Sequence, residues 1–280
     1  MIEFGPEVCQ DILQSSSREW LEANGLGGFA GTTVSGINTR RYHSVLTAAV
    51  KPPVVRTTLV NQYEEKIFSE SGHSWGISAH QYGSPTDKNR TRGNPSIINP
   101  AGFSLLKKFS LYPWPVWTYQ SDFGVLEKSV FMIYGQNATV TLYRLLESPH
   151  ESLTLKVRPL MTGRDYHHTH HENRALNAAP KILPGTVSFA PYTGVPQIYF
   201  HHNGEFKTSF YWYRNFYYAI ESERGSDCLE DCWTPGELIF TLKKGETCHV
   251  VASTEPKFRG TVETLQSEEK KRREKSAMLH

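Results

Sequence analysis

Four stretches of this 280-residue sequence concentrate side chains able to do chemistry. His167, His168, His170 and His171 surround Thr169, with Glu172 next. Imidazoles so spaced bind zinc or iron when they share a strand face. The nearest metal-binding pattern wants a glycine, a His-x-His pair and a glutamate further on. Gly163 is one residue too near and Glu172 follows Thr169 too closely, so a surface loop of histidines is expected instead. Cys228, Cys232, Cys248 and His249 suggest a zinc site only loosely, because Cys-x-x-x-Cys is an open spacing and the second pair is adjacent; buried thiols behaving as small apolar residues are expected. Gly25-Leu-Gly27-Gly28-Phe-Ala30 fits a loose dinucleotide fingerprint, yet no strand precedes it, no helix follows, and no acid lies between Phe29 and Lys51. Those glycines are expected to let the backbone pass close to a partner surface or a sugar.

The fourth stretch, Trp212 to Trp233, is the densest: Trp212, Tyr213, Arg214, Asn215, Phe216, Tyr217 and Tyr218, then Glu221, Glu223, Arg224, Asp227, Glu230 and Asp231. Aromatic faces beside carboxylates and guanidinium groups suit pyranose rings, which stack their apolar faces and hydrogen-bond their hydroxyls. Paired carboxylates also raise glycoside hydrolysis, which needs two carboxyls about 6.5–9.5 Å apart or a closer nucleophile pair. Acids this crowded are expected to be ion-paired to arginines such as Arg214 and Arg224 rather than catalytic. Upstream, Arg18-Glu-Trp-Leu-Glu and Thr39-Arg40-Arg41-Tyr42-His43 flank the glycine run and place charged and aromatic groups where a core strand would take Val or Ile.

Composition narrows the partners. Thirty Lys and Arg against 28 Asp and Glu give no field for a phosphate backbone or anionic lipid, so neither nucleic acid nor membrane is expected. Aromatic residues, 12 % of the chain, fit a neutral saccharide or an aromatic β core. Glu3, Glu7 and Asp11 interrupt the first residues, which read as neither signal nor membrane span, so a cytoplasmic protein with reduced cysteines is expected, and the sequons at Asn89 and Asn137 are then idle.

The elements that must position these groups read as strands. From Leu105 onward, short apolar segments recur about every ten residues between turn residues, as in an antiparallel sandwich. Leu153 to Pro159 alternates cleanly; Val125 to Tyr134, Thr139 to Leu146, Gln197 to His202, Phe216 to Glu221, Glu237 to Leu242 and Thr247 to Ala252 are further candidates. The fold class expected is all-β, two large antiparallel sheets. Ser71 to Pro100 and Met161 to Pro184 read as long excursions over a sheet edge. Val262 to Lys275 reads as a charged helix with almost no apolar stripe, Glu268 facing Arg272 and Glu269 facing Arg273, a linker to a further domain.

Four blocks, EWLEANGLGGFAGTTVSGINTRRYHSVL, KPPVVRTTLV, RPLMTGRDYHH and WYRNFYYAIESERGSDCLEDCWTPGEL, resemble in type and order the N-terminal domain of bacterial and archaeal glycogen-debranching enzymes, the amylo-α-1,6-glucosidase family. Ser44 stands where the family usually has Gly, and Cys228 and Cys232 are atypical. The resemblance implies a β-super-sandwich over residues 1–260 and, over 261–280, the start of a helix leading to an (α/α)6 barrel that carries the catalytic carboxylates. No catalytic residue, metal or cofactor is then expected within this chain. The resemblance puts Arg40, Arg41, Tyr42, His43, Arg164, Asp165, Trp212, Asn215 and Arg224 near the barrel or near glycogen or branched maltodextrin. Two other readings stay open: an autonomous carbohydrate-binding module, which needs a flat exposed tryptophan platform, and a cupin-like metal-dependent enzyme.

Overall fold

The computed structural model describes residues 2–52, 54–84, 95–257 and 260–278. The chain opens with β1 (Glu3–Phe4), α1 (Pro6–Cys9), α2 (Ile12–Ser16), β2 (Glu19–Ala23), β3 (Phe29–Thr33), β4 (Ser44–Lys51) and β5 (Val55–Ser69). There follow β6 (Ser74–Gly76), β7 (Ala79–Gly83), β8 (Pro95–Ala101), β9 (Leu106–Leu111), β10 (Pro115–Ser121), β11 (Gly124–Met132) and β12 (Ala138–Glu147). The remainder comprises β13 (Leu153–Asp165), β14 (Lys181–Leu183), β15 (Thr186–Phe189), β16 (Ile198–His202), β17 (Glu205–Tyr217), α3 (Ala219–Glu223), β18 (Leu229–Leu242), β19 (Thr247–Ser253) and α4 (Val262–Ala277).

These strands form two antiparallel sheets facing one another, so the expected all-β sandwich is observed. The nine-stranded sheet runs β1-β9-β10-β11-β12-β19-β16-β15-β14. The ten-stranded sheet runs β2-β3-β4-β5-β13-β18-β17-β7-β8, with β6 added on β5. Alternation drives burial: on β13, Leu153, Leu155 and Val157 are buried and Thr154, Lys156 and Arg158 are not. The inner faces meet in one large core containing Leu46, Val157, Tyr143, Phe200 and Trp233.

Several expectations need correcting. β13 continues past Pro159 to Asp165, because its ladder to β18 is irregular between Val157 and Met161, where a residue lacking an N–H does least harm. Phe216 to Glu221 is not one strand: β17 ends at Tyr217 and a helical turn follows from Ala219. Strands are as frequent before Leu105 as after it. Residues 85–94 of the Ser71–Pro100 excursion, with the Asn89 sequon, lie outside the described residues.

Helix α4 is better held than its composition implies. Val262 and Leu265 pack with Trp114, Phe131, Val140 and Val251 on the outer face of the nine-stranded sheet. Glu269 is only 5 % exposed and takes both Arg272 and Arg273, replacing the expected Glu268–Arg272 pair. Arg273 reaches on to Glu22 of β2 in the other sheet and donates to the Pro113 carbonyl at 2.7 Å. A Thr261–Thr264 capping box starts the helix. Among the described residues no helix is long and apolar enough to cross a membrane.

Candidate functional site

Arg40 to His43 form a turn between β3 and β4, not the strand expected, closed by His43 N donating to Arg40 O at 3.1 Å. The side chains bind it down on both flanks. His43 is buried; its Nδ1 accepts from Thr39 N at 3.1 Å, so the proton sits on Nε2, which faces Glu19 Oε1 at 3.4 Å. Arg40 Nε donates to the same oxygen at 2.6 Å. The hydrogen bond from His43, helped by Arg40, holds the Glu19 carboxyl down to about 2 against the opposing effect of partial burial. Arg41 points the other way, to Glu221 of α3 at 3.0 Å and to the His167 carbonyl at 2.8 Å.

Beneath the turn lies a buried ion pair. Arg164, at the end of β13, donates through Nε and Nη2 to Glu230 of β18, and Nη2 also donates to the Arg41 carbonyl at 2.6 Å. Glu230 is fully buried and accepts from the Tyr218 hydroxyl, from Asn61 Nδ2 at 2.6 Å and from His170 N at 2.9 Å. Asn61 Oδ1 accepts in turn from Asn38 Nδ2 at 2.7 Å, and Asn38 holds the His43 carbonyl at 3.2 Å. A carboxylate with this many donors anchors four chain segments. Desolvation disfavours the charged Arg164, but Glu230 more than offsets it and keeps the guanidinium protonated.

On the surface above this pair, Tyr42 Oη meets His167 Nδ1 at 3.1 Å and the Tyr42 ring packs edge-on to Tyr166 at 5.8 Å. Arg56 lies over Tyr166 and hydrogen-bonds its hydroxyl at 3.3 Å, while Arg56 Nε donates to the Gly27 carbonyl. Asp165 accepts from His167 N at 2.8 Å, closing the loop after β13.

The nine sequence candidates thus fall into three groups. Arg40, Arg41, Tyr42, His43, Arg164 and Asp165 converge on one end of the ten-stranded sheet, although His43 and Arg164 are internal supports. Trp212 and Asn215 sit one step away: Trp212 stacks on His170 at 5.6 Å, and Asn215, at φ 63°, donates its N–H to Asp231 at 2.9 Å. Arg224 is exposed at the C-cap of α3 and makes no ion pair among the described residues. Missing from the candidates were Asn38, Asn61 and Arg56. Asparagines inside strand-like segments were the available signal, since a strand core tolerates them only when their amides are satisfied.

The histidine loop is not simply solvated. His170 is buried, its Nδ1 donating to the Asp231 carbonyl at 2.9 Å and its Nε2 accepting from the Tyr192 hydroxyl at 2.8 Å; burial lowers its pKa. His171 lies between Asp227 and Asp231. Burial pushes the Asp231 carboxyl up, but His171 and the N–H groups of Asn215 and Glu172 bring it below the usual range. Among the described residues no three His, Cys, Asp or Glu side chains converge to hold a metal ion. All four cysteines are buried free thiols, and Cys228, Cys232 and Cys248 sit in three separate apolar clusters. The crowded acids are ion-paired as expected, but chiefly to other partners: Glu221 to Arg41, Glu230 to Arg164, and Asp227 and Asp231 to His171; Arg214 pairs with Glu172.

A strand, β2, does precede the glycine run, contrary to expectation, but β3 and not a helix follows it; Gly25 and Leu26 are exposed at the tip while Gly28 is buried. Gly25 and Gly27 adopt φ of 77° and 98°, and a Cβ on Gly28 would stand 2.6 Å from Asn24 Nδ2 and 2.7 Å from Asn137 Oδ1. Asn24 Oδ1 accepts from Leu26 N and Gly28 N at 2.9 Å, and its Nδ2 donates to Asn137 Oδ1 at 2.9 Å. The close approach is therefore to the β11–β12 turn of the opposite sheet.

No curated protein matches this chain. The crystal structure of a bacterial glucoamylase complexed with acarbose resembles it at 10 % identity and a TM-score of 0.31, over 90 % of this chain and 33 % of that one, so the chain spans about a third of that structure's length. The family model described as glycogen debranching enzyme N terminal matches residues 18–249, which include every residue of the Arg164–Glu230 network and the turn above it. The chain belongs to the glycogen debranching enzyme N-terminal family.

Proposed function

We propose that this chain is the non-catalytic β-sandwich, spanning residues 1–260, of a cytoplasmic enzyme that hydrolyses α-1,6-glucosidic branch points in glycogen. A catalytic (α/α)6 barrel of the same polypeptide, reached through the helix starting at 261, is its partner. The docking surface is the end of the ten-stranded sheet where the Arg40–His43 turn meets the 165–171 loop. The observation that carries this reading is the buried Arg164–Glu230 pair, which fixes two turns distant in sequence into one rigid surface bearing Tyr42, His167 and Arg41. Glu221 and Glu230 do not serve as a glycosidase pair, since both are fully buried and held by guanidinium groups. A general acid must reach the glycosidic oxygen.

The autonomous carbohydrate-binding reading is disfavoured. Trp114 and Trp117 are 4 % and 3 % exposed, and Trp212 is half-buried against His170. No flat tryptophan platform remains among these three. Isothermal titration of this chain against a separately expressed barrel and against branched maltodextrin tests the proposal. Binding to the barrel, weakened at least tenfold by Tyr42→Ala with His167→Ala, is expected. Silence toward the barrel, or the same affinity for the double variant, removes the docking role assigned to this surface.

A further inference from the structure

Between the sheets, with Asn38 and Asn61 in its wall, lies a cavity of ≈ 50 Å³. Trp20, Tyr63 and His80 line it from the ten-stranded sheet, Lys128 and Thr141 from the nine-stranded one. A sandwich core is ordinarily hydrocarbon, yet four of these residues carry a buried polar atom with no partner among the described residues: Trp20 Nε1, Tyr63 Oη, His80 Nε2 and Thr141 Oγ1. Their residues are 6, 3, 1 and 0 % exposed. Native proteins rarely leave such groups unpaired, because each has given up its hydration.

The charges around the cavity cancel. Lys128 Nζ lies 2.5 Å from Glu65 Oε1, which also accepts from the Tyr143 hydroxyl at 2.5 Å. Burial, with Glu65 nearby, raises the Tyr63 pKa and keeps its hydroxyl protonated. Burial, with Lys128 nearby, lowers His80 to about 3 and keeps it neutral. His80 Nδ1 is hydrogen-bonded to Gln62 Oε1, an acceptor, so Nδ1 carries the proton and Nε2 presents a lone pair. The unpaired groups are therefore one indole donor, one imidazole acceptor and two hydroxyls that can do either.

We propose that this cavity is a binding site for a cluster of ordered water molecules joining the two sheets. At ≈ 50 Å³ the cavity exceeds the roughly 10–15 Å³ needed to hold a water molecule and has room for more than one. Water is small and neutral and both donates and accepts; an ion would upset the charge balance, and an apolar guest would leave all four groups unpaired. The position adds a consequence. Asn61 touches Glu230 on one side and lines the cavity on the other, so the waters complete a polar path from the Arg41 turn, through Arg164 and Glu230, to Glu65, Lys128 and Tyr143.

Water-selective nuclear Overhauser spectra of the whole chain test this at the Trp20 indole proton. A cross-peak with the sign of long-lived water is expected, falling by half or more in Tyr63→Phe and in Thr141→Val, each of which removes one hydroxyl. Absence of that cross-peak in the unaltered chain overturns the proposal, as does xenon entering the cavity, which would mark it as dry. Should either variant fail to fold, the unaltered chain alone still decides.

Discussion

Replacing Arg164 by methionine is the sharpest test of the network beneath the Arg40–His43 turn. Methionine keeps much of the volume and packs flexibly, so the loss is mainly electrostatic. Glu230 would retain the Tyr218 hydroxyl, the Asn61 amide and the His170 N–H, but lose its countercharge at full burial. The Arg41 carbonyl would lose a donor now 2.6 Å away. Breaking a buried pair from one side costs about 3–5 kcal/mol, which equilibrium urea unfolding monitored by tryptophan fluorescence resolves. Glu230→Gln should cost a similar amount by stranding the guanidinium. Because the two groups share one interaction, Arg164→Met with Glu230→Gln should cost less than the sum of the singles by roughly 1–3 kcal/mol. Amide exchange in residues 40–43 and 166–171 should rise in the single variants more than in β12 or β19. A loss below about 1 kcal/mol for Arg164→Met, or additive singles, would refute the claim that this pair organises the surface.

Acid should destabilise the fold from near neutrality. His80, lowered to about 3, is neutral in the folded chain but titrates at its ordinary value when unfolded, so its load is absent above that ordinary value and grows as pH falls toward 3. His80→Gln should flatten the stability profile between about pH 6.5 and 4 by up to roughly 1.4 kcal/mol per pH unit; an unchanged slope contradicts the assignment. Glu19 behaves as a depressed acid, its stabilisation complete above the ordinary glutamate value of 4.5 and lost as pH falls through about 2, so Glu19→Gln should narrow the chain's acid sensitivity in that lower window. Arg273→Met removes charged hydrogen bonds to Glu22, Glu269 and the Pro113 carbonyl. It should cost about 1.5–3 kcal/mol and raise hydrogen exchange across 262–277 while the sheets stay protected; equal deprotection of the sheets counts against a local latch. Gly28→Ala forces a Cβ against Asn24, Asn137 and the Thr47 carbonyl and should cost about 1–3 kcal/mol in urea unfolding. No loss would contradict the close approach of the backbone at Gly28 to Asn24 and Asn137.

What the sequence determined alone was the class of structure and the family. Period-two burial is local, so Leu153 to Pro159 announced its strand, and the blocks around Arg40, Arg164 and Glu230 identified the family without coordinates. Local pattern failed where a segment's environment is set by chain far away. β17 has little alternation because most of its side chains are not buried, and β5 is buried along much of its length, so neither shows a clean period. The charged face of α4 concealed Val262 and Leu265, which find their apolar partners on the sheet behind them. Partner choice was the other hidden quantity. The acids from Glu221 to Asp231 were visible as a group, but Arg41 and Arg164 come from strands and turns far off in sequence, and only the sheet order β5-β13-β18-β17 brings Asn61, Arg164, Glu230 and Tyr218 together. An ion pair buried between such segments leaves no periodic trace, because its stability depends on desolvation and on donors supplied by the whole fold. The glycine run shows the same limit: its left-handed turns were legible, while the surface it approaches, the β11–β12 turn of the opposite sheet, exists only once the two sheets have closed on one another.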